Sequence, residues 1–481
     1  MLVAIIAEKN LDYMFDVMSC LPPTVQTVEL RLDYLEFICY KSLVKLINKF
    51  NYSFIFTLRS KEQGGFFEGS EEQRLSHIEK LLELQPCYID LEYNVNPNFI
   101  NKVLTDWPQV TIIRSFHCFA VDNCIDSVFS IMKVDYPCIY KIIMTAENID
   151  AWLKSLQFLR QHQSQLNLVV HCLGRYGMPS RIIGAIFGNY FSYAASNYNT
   201  LHGNNHVLKD LPSIDTMINI YNWPLLNGNT KLYALLGDPV EHSIGDVYHN
   251  NYFKKHIINA VYIKIAMRFK ELECFLQQAG HLGFIGFSIT MPLKKKVLAY
   301  VNHRGFPDTL ASCNTLFWQH NSYYGYNTDG CGAIAAIGSQ NIQKKNILVI
   351  GAGGSADAIV DSLSREKEVA VTVVNRTHAT AVQLASKYNF TGFDFAKFIC
   401  AEIDPINIII NTLPNTCILP DAFMKALQYC IAKSIILLNA DYSTDNPILH
   451  KELLPASVET ISGKEMFLQQ AKLQQQIWQD N

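Results

Sequence analysis

Charge is scarce in this chain. Only 17% of the 481 residues are Asp, Glu, Lys or Arg, and they nearly cancel to a formal net charge of -3. There is thus no overall basic field to gather nucleic acid or an anionic membrane, and neither is expected as a partner. The 13 cysteines are odd in number, with no CxxC pair and no Cys/His ligand spacing. That argues against a disulfide framework and a zinc site, so no metal is expected and the thiols read as reduced residues of a cytoplasmic protein. The opening MLVAIIAEKN is cut short by charge. It is too brief for a signal-peptide core and far too brief to span a bilayer. Low-complexity segments and short-period repeats are missing too.

What the chain does have is apolar residues, 49% of the total, and more length than one hydrophobic core can use, so two or three domains are expected. The clearest local signal is ILVIGAGGSADAIVDSLSREKEVAVTVVNRT at 347–377. An apolar run at 347–350 meets Gly351-Ala352-Gly353-Gly354-Ser355-Ala356, then a helix-compatible segment and a second apolar run at 369–374. Strand, glycine turn, helix and strand in this order are the pattern that seats a dinucleotide pyrophosphate on a helix N-terminus. A lone glycine turn also occurs in ordinary parallel sheets. After the second strand, however, comes Asn375-Arg376-Thr377, where an NAD site usually carries an acidic residue for the ribose 2′-hydroxyl. A guanidinium suits a 2′-phosphate, so the expected cofactor is NADP.

Residues 1–200 carry eight short apolar or alternating runs, at 3–7, 28–35, 54–59, 88–93, 110–119, 139–146, 166–172 and 190–195. Most are separated by segments of helical length, and eight such repeats predict a closed (β/α)8 barrel. Period-two alternation puts Glu29, Arg31 and Asp33 on one face, and does the same for Thr57 with Arg59, Asp90 with Glu92, and Ser115 with His117. Lys141 shares a face with Ile139 and Ile143. These polar faces are expected to point inward, near the strand C-terminal ends where barrel enzymes keep their sites. A lysine beside cationic neighbours in a confined site can lose its proton and attack a ketone, and the iminium then lets a nearby imidazole take an α-proton. A lone strand histidine reads as a core residue and a lone lysine as a solvated one. Lys141 and His117 together with Arg31, Arg59 and Arg181 read as a site.

The runs VELRLD, FTLRS, YIDLEY, SFHCF, YKIIMTA and GMPSRIIGAIFG resemble the type I 3-dehydroquinate dehydratase family over nearly all of residues 1–220. The resemblance implies that Lys141 forms a Schiff base with the C3 ketone of 3-dehydroquinate. His117 would move protons in a syn elimination of water, while Glu29, Arg31, Arg59 and Arg181 bind the substrate. Two departures stand out. The family's Glu before the glycine pair is Gln63 in KEQGG, and its Ser-Ala-Pro-Gly-Gln closing loop corresponds to His202-Gly203-Asn204-Asn205-His206. Gln63 can hydrogen-bond but cannot hold charge.

The polar segment 222–229, with Pro224 and Gly228, reads as a linker. Beyond it, GDPVEHS, FSITMPLK, CNT, GYNTDG, GAGGSA, NRT and SGKEMFLQQA follow in order, and they resemble shikimate dehydrogenase over 229–481. The resemblance implies that Lys294 and Asp329 form the catalytic pair, Lys294 donating a proton to the carbonyl oxygen of 3-dehydroshikimate as hydride arrives. Ser243, Thr290, Asn314, Tyr442 and Gln470 would bind substrate. Gly351, Ala352, Gly353, Gly354, Ser355, Asn375, Arg376, Thr377 and Gly463 would bind the cofactor. Departures are Gly245 and Asp246 for the family's second Ser and Pro of HSxSP, Ser288 for an Asn, and Ala311-Ser312 for Gly-Ala. Lysines 294–296 alone would read as a solvated basic run, and Asp329 as an Asx-turn.

The expected layout is a barrel at 1–228, a substrate-binding domain at 229–335 completed by a helix at 463–481, and an α/β Rossmann NADP domain at 336–462. The whole resembles the family that joins the two consecutive activities. Two alternatives stay open: an NAD-linked quinate dehydrogenase in the second half, and a barrel kept as a ligand-binding or scaffolding module.

Overall fold

A computed structural model describes every residue except 122–123, 197–210, 308–309, 443–448, 450–453, 455–456 and 481. The expected closing loop, His202 to His206, therefore lies outside the described residues. The chain divides into two compact units, Met1–Lys231 with Asn250–Ile263, and Leu232–His249 with Lys264–Asn481.

In the first unit, strands β1 (Leu2–Ile6), β2 (Thr27–Arg31), β3 (Ser53–Thr57), β4 (Tyr88–Glu92), β5 (Thr111–Cys118), β6 (Ile139–Thr145), β7 (Asn167–Leu173) and β8 (Ser192–Ala195) form one sheet in the order β7-β6-β5-β4-β3-β2-β1-β8. Every ladder between neighbours in it is parallel. Side-chain and backbone bonds carry β7 toward β8. Asn189 accepts from the Val170 amide at 2.8 Å and donates to the Val170 carbonyl at 3.0 Å, and the Tyr190 amide donates to the Leu168 carbonyl at 2.7 Å. The result is a nearly closed (β/α)8 barrel.

Helices alternate with these strands, and local chemistry starts them. The helix Glu71–Leu82 opens on a capping box, in which Ser70 accepts from the Gln73 amide while the Gln73 side chain accepts from the Ser70 amide. The interior is layered. Val3, Ile5, Ile55, Ile113, Ile139, Val169, Phe191 and Tyr193 pack as an apolar cluster. On β3, β5 and β6 the inward positions then turn polar toward the C-terminal end. Ile55 gives way to Thr57 and Arg59, Ile113 to Ser115 and His117, and Ile139 to Lys141.

Beyond the barrel strands the chain forms two six-stranded sheets. Strands of the first are β9 (Lys231–Gly237), β10 (Ala260–Ala266), β11 (Phe284–Ile289), β12 (His303–Arg304), β13 (Thr315–Gln319) and β14 (Ser322–Tyr326). β11 lies parallel to β9 and antiparallel to β13, which folds back on β14. That hairpin turns through His320 and Asn321, at φ of 50° and 56°, as a two-residue turn matched to strand twist requires.

The second sheet holds β15 (Asn346–Ile350), β16 (Ala370–Asn375), β17 (Thr391–Asp394), β18 (Ile406–Asn411), β19 (Ile431–Asn439) and β20 (Ser457–Ile461). All its ladders are parallel, in the order β17-β16-β15-β18-β19-β20. Alternation along β15 sends Ile347 and Val349 into one apolar core and Leu348 and Ile350 into another. A sheet covered on both faces is the doubly wound Rossmann arrangement, and its strand order reverses between β15 and β18, where such folds bind ligands. The C-terminal helix Gly463–Asp480 returns to the first sheet: Gln474 donates to Thr315 at 2.9 Å and Trp478 to the Leu316 carbonyl at 3.1 Å.

Candidate active sites

Lys141 stands at the centre of the barrel's polar layer, 4% exposed. Its Nζ donates to Glu29 Oε1 at 2.9 Å and Asp90 Oδ2 at 3.1 Å, and lies 4.2 Å from the centroid of the Tyr193 ring. The expectation of cationic neighbours is corrected here. Two carboxylates and an aromatic face hold the ammonium, because the stagger of the barrel brings Glu29 of β2 and Asp90 of β4 to Lys141 of β6. The next ring outward is cationic. Arg59 donates to Asp90 Oδ2 at 2.7 Å, to Ser115 at 3.0 Å and to His117 Nδ1 at 3.1 Å. Burial alone would raise the Asp90 carboxyl, but Arg59, Lys141 and the Ser115 hydroxyl hold it below the usual carboxylate range.

A guanidinium can only donate, so Nδ1 of His117 is the acceptor and the ring is neutral. Burial, then Arg59, Lys141 and Arg31, push this imidazole well below its ordinary pKa. Gln63 has a definite place. Its Oε1 accepts from the His117 backbone N–H at 2.8 Å, which ties the 3₁₀ turn Lys61–Gln63 to the end of β5.

Alternation on β2 stops at Arg31. Asp33 sits in the turn Leu32–Tyr34 rather than on the strand, and clamps Arg31 through two bonds of 2.9 and 2.8 Å. Arg181, on the helix Gly177–Ile186, is buried and donates to the carbonyls of Cys172 and Gly177 at 3.0 and 2.7 Å. Sequence reading put Thr57 on the inward face but gave it no role, and it donates to Glu29 at 2.8 Å; the Tyr193 ring beneath Lys141 it missed. Tyr193 too lies on an inward strand position, which is the signal that could have found it.

In the second unit Lys294 Nζ pairs with Asp329 Oδ2 and donates to the Ser355 hydroxyl at 3.1 Å. Asp329 opens the helix Asp329–Ile337, and its backbone N–H donates to Asn327 Oδ1 at 3.0 Å. Asn314 is the hub. Its Nδ2 lies 2.7 Å from Asp329 Oδ1 and 2.9 Å from Gln470 Oε1, while its Oδ1 accepts from the Thr328 amide at 2.9 Å. Ser355, expected to serve the cofactor alone, thus also touches Lys294.

Thr290 follows β11, its amide bonded to the Leu236 carbonyl at 2.9 Å. Ser243 accepts from the Gly245 amide at 3.1 Å, and the loop around it is held by Lys264, which reaches the Ser243 carbonyl at 3.2 Å and Asp246 at 3.1 Å. Asp246, where the resemblance expects Pro, therefore anchors this loop by an ion pair. Burial pushes the Tyr442 hydroxyl up to about 12, against the opposing effect of Ser243 beside it. His249 is a core histidine, bonded to Gln475 at 2.5 Å and lowered by burial to about 3.

The glycine turn has its own geometry. Gly351 sits at φ +110°, and a Cβ there would come 2.3 Å from Thr412 Oγ1, whereas a Cβ on Gly353 would meet nothing within 4 Å. Ala352 links the two glycines. The helix Gly354–Leu363 starts without a side-chain cap, which leaves its first N–H groups for an anion. Asn375 ends β16, with Arg376 and Thr377 exposed just beyond it, and Gly463 opens the C-terminal helix.

The described residues thus hold a buried lysine in a barrel and, separately, a lysine–carboxylate pair beside a glycine turn of dinucleotide-binding type. Residues 2–223 match the family described as type I 3-dehydroquinase, 235–316 the shikimate dehydrogenase substrate binding domain, and 333–438 the shikimate/quinate 5-dehydrogenase family. The shikimate biosynthesis protein AroDE of Chlamydia trachomatis is 30% identical over 85% of this chain and 81% of its own length. Its Chlamydia pneumoniae counterpart is 28% identical over 94% and 90%. The bifunctional 3-dehydroquinate dehydratase/shikimate dehydrogenase of Arabidopsis thaliana, named as chloroplastic, is 28% identical over 94% and 77%. Among solved structures, the dehydroquinate dehydratase and shikimate dehydrogenase of S. pombe AroM align with 100% of this chain and 95% of that one, at 19% identity and a TM-score of 0.43. The chain belongs to the bifunctional family that joins a type I 3-dehydroquinate dehydratase to a shikimate dehydrogenase. Among the described residues no helix is long and apolar enough to cross a membrane.

Proposed function

We propose that the two centres act in sequence on one carbon skeleton, 3-dehydroquinate to 3-dehydroshikimate to shikimate, with NADP(H) as the redox partner. Lys141 gives up a proton, attacks the C3 ketone and expels water to form an iminium. His117 takes the proton α to that iminium. Its Nδ1 becomes free to do so when Arg59 turns to the anionic substrate. His117 hands that proton to the β-hydroxyl, which leaves as water, and hydrolysis of the product iminium releases 3-dehydroshikimate and returns Lys141. Glu29, Arg31, Arg59 and Arg181 supply the polar wall for the substrate, and Gln63 fixes His117 from behind.

The observation that carries the reading is the junction in the second unit: Lys294 touches Asp329 and, at 3.1 Å, Ser355 of the glycine turn. Proton donor and nucleotide turn therefore meet at one point. The residues fit a dinucleotide, since Gly351 cannot carry a side chain, Gly353 opens onto free space and the helix start is uncapped. Gly351 to Ser355 would hold its phosphates, Asn375, Arg376 and Thr377 its adenosine ribose, and Gly463 its other end. Bound NADPH would supply the hydride. Lys294 would then pass its proton to the carbonyl oxygen while Asp329, steadied by Asn314, orients it. Ser243, Thr290, Asn314, Tyr442 and Gln470 would hold the substrate carboxylate and hydroxyls.

The domain reading is a barrel at 1–228, a substrate-binding part at 229–335 with helix 463–481, and an NADP part at 336–462. All 13 cysteines are free, which suits a reducing compartment such as the cytoplasm. Incubation with 3-dehydroquinate and NADPH, followed by product analysis, tests the proposal. Wild type should yield shikimate, Lys294→Met should stop at 3-dehydroshikimate, and Lys141→Met should leave 3-dehydroquinate unchanged. Turnover as good with NADH as with NADPH would overturn the cofactor assignment.

A further inference from the structure

Three basic side chains gather at the edge of the nucleotide sheet, and only one was legible in the NRT motif. Asn375 and Asp394 are register partners where β16 and β17 end. The chain leaving β16 carries exposed Arg376 and then His378, and the chain leaving β17 carries exposed Lys397. These two segments touch: Lys397 Nζ lies 2.9 Å from His378 Nε2. An ammonium can only donate, so Nε2 is the acceptor and the imidazole N–H is on Nδ1, facing Asp394 Oδ2 at 3.7 Å. Asp394, the carboxylate of this group, is also engaged at its other oxygen, where it caps the next helix by accepting from the Lys397 amide at 2.7 Å. The Lys397 ammonium is thus held toward the β16 side by a neutral ring rather than neutralised by a carboxylate. Arg376 offers a second cation from the same place.

We propose that Lys397, positioned by His378, is a specificity-determining residue that binds the ribose 2′-phosphate together with Arg376. The ligand class is a nucleotide bearing a 2′-phosphomonoester, and the discrimination is against a free 2′-hydroxyl. This rests on the NADP reading above. It adds a residue from the helix that follows the neighbouring strand, about twenty positions away in sequence, to the motif that ends β16. A phosphate dianion between a guanidinium and an ammonium gains charge-assisted hydrogen bonds from both, while a 2′-hydroxyl gains little from either. Because Lys397 is exposed, its share should weaken with salt.

Calorimetric titration of the full chain with adenosine 2′,5′-bisphosphate and with 5′-AMP tests this without turnover. Wild type should bind the bisphosphate tighter than 5′-AMP. Lys397→Met should lose about tenfold in bisphosphate affinity, as expected for one hydrogen bond to a charged group, with 5′-AMP unchanged. Lys397→Arg should keep most of the preference. Unchanged 5′-AMP binding also reports that the variant is folded. If Lys397→Met binds the bisphosphate as wild type does, while Arg376→Ala does not, the role of Lys397 is wrong and the NADP reading stands. If wild type itself shows no preference, the NADP reading fails and this inference fails with it.

Discussion

Asn314 Nδ2 lies 2.7 Å from Oδ1 of Asp329, whose other oxygen pairs with Lys294. The carboxylate is thereby gripped at both ends, and Lys294 in turn reaches Ser355 of the glycine turn at 3.1 Å. Asn314→Ala removes one grip while leaving the lysine and the carboxylate in place. The expected loss is about 10- to 100-fold in kcat for NADPH-dependent reduction of 3-dehydroshikimate, the size of a lost hydrogen bond to a charged group. Dehydration of 3-dehydroquinate by the same protein should be untouched. An unchanged kcat in the variant would show that Asp329 needs no such support.

Gln63 bears on the other centre. Its Oε1 accepts from the His117 amide at 2.8 Å, and Glu could do the same while adding a negative charge beside the ring. His117 has a depressed pKa from burial and from Arg59, Lys141 and Arg31, so it stays neutral into mildly acidic solution. A nearby carboxylate favours the charged imidazolium and raises that pKa. The acid limb of kcat/KM for dehydration should therefore move to higher pH in Gln63→Glu. In Gln63→Ala the rate should fall with the limb unmoved. A pH profile for Gln63→Glu that overlays wild type would rule out a functional coupling between the two residues.

Two buried histidines, His171 and His249, and the half-buried His117 set an acid limit on folding. Burial lowers His117, His171 and His249 in the folded chain, with Arg59 and Lys141 adding to the effect at His117, and Arg181 and Lys141 at His171. For each, the unfolded state binds a proton that the folded state refuses once pH drops below about 6.5, so stability present at neutral pH is lost on acidification. Each contributes at most about 1.4 kcal/mol per pH unit. The first unit carries two of these residues and the second one, so the first should weaken more steeply. Urea unfolding followed between about pH 7 and about pH 5.5 reads this directly, in the window where ordinary histidines titrate. Stability that is flat or rises on acidification would contradict it.

Much of both centres was legible because the signals were local. Period-two alternation on β5 and β6 brought out His117 and Lys141, since in a barrel every second residue must face the interior. The glycine turn and NRT were legible because strand, turn and helix there are contiguous. What stayed hidden depends on stagger and on partners distant in sequence. Lys141 was expected among cations, yet it meets Glu29 and Asp90, 112 and 51 residues away. Asp33 left its expected face because the chain turns directly after Arg31. Gln63 looked like a loss, since its use is a bond to a backbone N–H 54 residues on. Lys397 lies outside any motif, and only the pairing of β16 with β17 brings it to His378.

The covalent centre proposed at Lys141 can be trapped chemically. Incubating the protein with 3-dehydroquinate and borohydride, without NADPH, would reduce any imine to a stable amine, and peptide mass spectrometry would locate it. Expected is a ligand-derived mass on the peptide containing Lys141, with 3-dehydroshikimate formed when borohydride is left out. The contradicting result is no adduct and no 3-dehydroshikimate from protein that still reduces 3-dehydroshikimate with NADPH.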